Sequence, residues 1–225
     1  MTEPEIRSRV VSRMQGWVGA RMGDATHHEI IDIYNSHRPL PRGVRMSYTM
    51  YWCAATVSAA GIAEGLTDIM PVECSCGELI NLYKALGCWM EDDAYIPKPG
   101  DLIMYDWQDD NGVVDCTGAP DHVGMVVKVV GSMITVVEGN KTPGSVVGYR
   151  EISVNARYIR GYCCPNYASK ADKPPVSKLD TEPPWYAEAQ TWAKDLGITA
   201  DGTRPADPCT RAEVWQMLKN YHEAS

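Results

Sequence analysis

The sequence predicts an α+β fold, with helices first and an antiparallel sheet after them. Two observations carry this. Apolar residues recur at helical spacing as far as Leu86, and from Pro99-Gly100 onward they give way to short β-branched and aromatic runs broken by turn residues. Ile6, Val10, Met14 and Trp17 mark a first helix, and Thr26-His27-His28-Glu29 reads as a capping box before Ile30, Ile31 and Ile33 of a second. Asn35 to Arg45, with Pro39, Pro41 and Gly43, is a loop leading to YWCAATVSAA (Tyr51 to Ala60), the expected third helix. Gly77 to Leu86 is a fourth, ended by Gly87 where a left-handed backbone is needed. Five strands are expected, at 102–107, 123–130, 133–137, 146–152 and 158–162, with a hairpin at Gly131-Ser132.

Beyond the sheet, ASKADKPPVSKLDTEPP contains Pro174-Pro175 and Pro183-Pro184 and has the composition of a linker. Residues 1–168 are therefore expected to form the main domain, 169–184 a linker, and 185–225 a small C-terminal unit. In that unit Trp185, Ala189, Trp192 and Leu196 form one helical stripe, and Thr210-Arg211-Ala212-Glu213 offers a cap for a second helix. A unit of this size buries too little surface to be secure alone, so it is expected to dock on the main domain or pair as a homo-oligomer.

The chain has 225 residues, 44% hydrophobic and 22% charged, and no apolar run able to span a membrane. A formal net charge of −8 argues against nucleic acid, whose phosphates need clustered cations. The charged opening MTEPEIRSRV lacks the apolar core of a signal peptide, so synthesis and retention in a cytoplasm are expected, with most of the eight cysteines reduced. Cys74, Cys76 and Cys88 lack C-x-x-C spacing and a nearby His, so no metal is assigned to them. The acidic group Asp106, Asp109, Asp110, Asn111 and Asp115 does not match a defined calcium loop, and no cofactor is expected.

Cys53 carries the strongest chemical signal. At a helix start, free N–H groups and the positive dipole end favour the thiolate, and the small residues after it let the helix approach a sheet closely. A thiolate hydrolase also needs a base and a group to orient that base. Of the five histidines, His27 and His28 fall in a predicted first helical turn, His37 in the proline-rich loop and His222 near the chain end, all expected in solvent. His122 instead opens the strand DHVGMVVKVV, and the adjoining strand ends in Glu138-Gly139-Asn140, which places an acid and an amide beside it.

YWCAATVSAA, the Pro99-Gly100-Asp101 lead into a strand, DHVGMV and VVEGN occur in an order that resembles the cysteine- and histidine-dependent amidohydrolase/peptidase (CHAP) family over most of residues 5 to 168. The resemblance implies a papain-like fold and cleavage of bacterial peptidoglycan, between muramic acid and L-alanine or within the peptide. It makes Cys53 the nucleophile, His122 the general base and then acid, Glu138 the group orienting His122, and Asn140 an additional polar position. The oxyanion is expected at the Cys53 N–H, with Tyr51 or Tyr48 as a side-chain donor. Parity imposes a condition. A regular ladder closed by Gly131-Ser132 would set Met125 opposite Glu138 and turn Glu138 away from His122, so a three-residue loop or a β-bulge is expected.

Residues 185–225 resemble one S-layer homology repeat, through Gly197-Ile198, Asp201-Gly202-Thr203, Arg204-Pro205 and the TRAE cap. Such repeats bind secondary polymers of Gram-positive walls and usually act in threes. A wall hydrolase without a signal peptide and with a wall-binding appendage resembles a phage or prophage endolysin, held in the host cytoplasm until lysis. The alternatives are a toxin or tail-associated lysin of the same chemistry, and a catalytically silent wall-binding module.

Overall fold

A computed structural model describes residues 1–92, 94–108 and 118–172. The predicted linker beyond Asp172, the C-terminal unit, His222, Cys116, Cys209 and the acidic stretch from Asp109 to Asp115 lie outside the described residues. Helices α1 (Glu3–Gly16), α2 (Ala25–Ser36), α3 (Cys53–Ala63) and α4 (Cys76–Ala85) precede every strand of the sheet. Its strands are β1 (Trp89–Met90), β2 (Leu102–Tyr105), β3 (His122–Val130), β4 (Met133–Lys141), β5 (Val146–Ser153) and β6 (Ile159–Cys163). All pairings are antiparallel, in the order β1-β6-β2-β3-β4-β5. This is the α+β architecture the sequence predicts, consistent with a papain-like CHAP domain. The two-residue β1 was not anticipated, because a pair such as Trp89-Met90 has no periodicity to read.

The helices follow their apolar spacing. Ile6, Val10 and Met14 of α1 are buried, as are Ile30, Ile31 and Tyr34 of α2. The cap of α2 differs from expectation: Asp24, not Thr26, accepts the His27 N–H at 2.7 Å. His27 is also corrected, since it lies fully buried with its ring edge-on to Trp52 at 4.6 Å, and Nδ1 accepts the Gly23 N–H. Gly87 ends α4 as predicted, at φ +66°, with Cys88 N–H donating to Tyr83 C=O and Gly87 N–H to Lys84 C=O.

Helix α3 has no polar face. Every residue from Cys53 to Gly61 is buried, which explains its run of small side chains. Gly139 of β4 is the closest approach: a Cβ there would come within 2.6 Å of Thr56 Cβ. Side chains of β2 alternate between two layers, Leu102 and Met104 toward the helices, Ile103 and Tyr105 into a second cluster with Val126, Val136 and Tyr162.

Three polar ties fix the connections. Asn35 brackets the Met46 backbone, accepting its N–H and donating to its C=O, both at 2.9 Å. Buried Glu73 takes a two-pronged contact from Arg42 and accepts the N–H groups of Cys74 and Ser75, so the start of α4 is clamped. Asp101 joins α1 to the turn before β2 by accepting from Arg7 Nη1 at 2.9 Å, Tyr95 Oη at 3.0 Å and Lys98 N at 2.8 Å.

The hairpin meets the parity condition through a bulge. Gly131-Ser132 is a two-residue loop, with Val130 opposite Met133, but the register shifts between Val126 and Lys128. Val127 is the extra residue, so Met125 pairs with Val137, and Glu138 falls across from Gly124 on the His122 side.

Candidate active site

Cys53 is the first residue of α3, whose N-cap Trp52 supplies no side-chain cap. The first-turn N–H groups are thus open, and the Ala54 N–H turns to the sulfur. The thiol is only 6% exposed, yet its pKa is driven well below the ordinary range. The Cys76 thiol is the largest cause, and His122 and the Ala54 N–H add to it, together outweighing burial.

His122 lies near enough to Cys53 that the sulfur and imidazole each favour the other's charged form. The second ring nitrogen is engaged, Nε2 lying 3.2 Å from Glu138 Oε2. This leaves Nδ1 for the sulfur. Burial opposes the imidazolium, but the thiolate and carboxylate prevail, and the His122 pKa is pushed up to about 9. The ring also lies near-parallel to Tyr105, centroids 5.8 Å apart.

Glu138 is fully buried. Burial works to raise its pKa, but His122 and Arg150 hold it lowered, with Arg150 Nε donating to Oε1 at 2.6 Å. Arg150 in turn lies over Trp107, 4.5 Å from the ring centroid. Gly124 leaves the carboxylate its room: a Cβ there would come within 2.7 Å of Glu138 Cγ and 2.5 Å of a Val136 methyl.

The remaining expected residues take other positions. Asn140 is buried in the left-handed region at φ +54°, and its Oδ1 accepts the Ser145 hydroxyl at 2.5 Å, with Glu138 making the contact to the imidazole. Tyr48 is turned to α2, donating to Asp32 at 2.8 Å and stacking on His28 at 3.9 Å, so its hydroxyl is committed away from Cys53. Tyr51, two residues before Cys53, is 83% exposed, so its hydroxyl is not held as a fixed donor beside the sulfur.

Sequence reasoning missed Cys76, Arg150, Gly124 and Gly139 as members of this site. Arg150 shows only as one charge in a strand. The two glycines sit inside strands, where glycine marks a close approach, and that signal was present in DHVGMV and VVEGN. The cysteine trio does not converge: Cys76 meets Cys53, Cys74 lies beside Tyr34, and the Cys88 thiol donates to the Leu86 carbonyl.

Residues 45–140 match the family model described as the CHAP domain. That segment runs from just before α3 to Asn140, and so holds Cys53, His122 and Glu138. No match is found among curated proteins or solved structures. CHAP domains are in general peptidoglycan amidases or peptidases with a cysteine-dependent mechanism.

Proposed function

We propose that this protein is a peptidoglycan hydrolase of the endolysin type, acting on Gram-positive walls after release from the host cytoplasm. The observation that carries the chemistry is the contact of Cys53, at the open end of α3, with an imidazole whose other nitrogen is held by a buried carboxylate. In this reading the Cys53 thiolate attacks an amide carbonyl of the wall. The oxyanion accepts from N–H groups of the first turn of α3, beginning with Cys53 itself. His122, as imidazolium, protonates the departing nitrogen. A water then enters, His122 takes its proton, and hydroxide displaces sulfur from the thioester. Glu138 keeps the ring oriented and stabilises its cationic form, as a triad carboxylate does.

The wall-polymer role of residues 185–225 and any self-association through them belong to the same proposal, on their likeness to an S-layer homology repeat. Turbidity clearing of purified Gram-positive walls tests the chemistry. Wild type is expected to clear them, and Cys53→Ala to lose clearing while still pelleting with walls; equal clearing by both overturns the thiol mechanism. Mass spectrometry of the products assigns the bond, new amino groups on alanine marking an amidase and new termini within the peptide an endopeptidase.

A further inference from the structure

Cys76 is a neighbour of the Cys53 sulfur that the chemistry above does not use. It is the first residue of α4, buried, with its sulfur 3.9 Å from that of Cys53. That separation is hydrogen-bonding distance for two sulfurs. The seat is built: Ser75 caps α4 by accepting the Glu78 N–H, and Glu73, itself held by Arg42, accepts the two backbone N–H groups just before Cys76.

We propose that Cys76 is a positioning residue of this site, whose S–H donates a hydrogen bond to the Cys53 thiolate and so holds that sulfur charged and aimed. The inference rests on the hydrolase reading for its purpose, though not for its geometry. A buried thiolate must replace the water it has lost with donors, and each is worth more than in solvent because the acceptor carries a full charge. Here His122 supplies one and the Ala54 N–H a second, and Cys76 supplies the third. A thiol beside a thiolate is how a pair of cysteines separates its two ionisations, one sulfur taking the charge and the other keeping the proton. The asymmetry matches: Cys53 is lowered, whereas Cys76 is raised well above the ordinary thiol range, first by Cys53 and then by burial. The other titratable groups facing the pair agree. His122 is on the Cys53 side, while Asp121 and Cys163 oppose charge on Cys76.

The test reads ionisation rather than turnover. The full chain is treated with iodoacetamide across pH, and alkylation of Cys53 is followed by site-resolved mass spectrometry. Wild type should give a midpoint well below that of a free thiol. Cys76→Ala should move the midpoint up by one pH unit or more, and Cys76→Ser, which restores a donor of nearly the same size, should bring it back to within half a unit. An unmoved midpoint in Cys76→Ala, or a rise of one unit in Cys76→Ser, overturns the proposal. Should Cys76→Ala fail to fold, as judged by thermal melting, Cys76→Val, of similar size and without a donor, takes its place under the same two outcomes. The hydrolase reading fails separately, in wall clearing: a shifted midpoint with no clearing by wild type keeps the sulfur pair and discards the hydrolase.

Discussion

At the scale of single residues, a pair of opposite charges inside the protein sets how the site responds to pH. Cys53 is lowered, and His122 is raised to about 9, so across neutral pH the site holds thiolate and imidazolium together. The rate constant kcat/KM should fall on the acid side as the thiolate gains a proton. It should fall on the alkaline side near pH 9, as His122 loses the proton it must give to the leaving nitrogen. The same shift bears on stability. A group raised on folding stabilises fully below its unfolded pKa of about 6.5, and that contribution is lost as pH rises through about 9. Glu138→Gln should lower activity about 100-fold and move the alkaline limb to lower pH, since the neutral amide no longer favours the cation; a pH–rate profile of the variant reads both. Cys53, His122 and Glu138 were legible because each stands beside a structural signal, a helix start or a strand end. Cys76 was not, since nothing in a sequence says that residues 53 and 76 meet. His27 was misread as solvated because Trp52, which encloses it, belongs to another element.

At the scale of elements, the site depends on how closely α3 can lie on the sheet. Thr56 is one turn along from Cys53 and rests against Gly139, between Glu138 and Asn140. A methyl at residue 139 meets the Thr56 side chain at its Cβ, which no change of rotamer moves aside. Gly139→Ala should therefore cost about 1–3 kcal/mol in urea unfolding and reduce wall clearing further than that loss explains, because the helix carrying the nucleophile is pushed off the strand carrying Glu138. Pairing it with Thr56→Ala should recover part of both, and a double-mutant cycle measures the coupling. The bulge at Val127 was legible as a requirement, because alternation along two strands forced a choice between an irregular hairpin and a carboxylate on the wrong face. Its position was open. The sequence constrained the parity of the hairpin, and the irregularity falls at Val126/Lys128 rather than in the loop.

For the molecule as a whole, the order of helices and strands was readable because α1, α2 and α4 bury one face each and so keep their periodicity. Helix α3, buried all round, was recognised from its small residues instead. No helix among the described residues is long and apolar enough to cross a membrane. If residues 173–225 bring the enzyme to the wall, removing them should reduce clearing of intact walls at least tenfold while leaving hydrolysis of soluble muropeptides within about twofold, since local concentration, not chemistry, is what a tether supplies. Equal loss on both substrates would assign those residues to the folding or catalysis of the first domain.

The beginning and the end of the described domain meet. Asp172 N–H donates to Met1 C=O at 2.9 Å, and the Met1 amino group pairs with the Asp172 carboxylate. A unit whose two ends share one address can be handled as a cassette. Joining residues 172 and 1 with a short bridge and opening the chain at the exposed Gly131-Ser132 tip would give a circularly permuted version with the same interior. It could equally be inserted whole into a surface loop of another protein, since its entry and exit points would hardly spread the host.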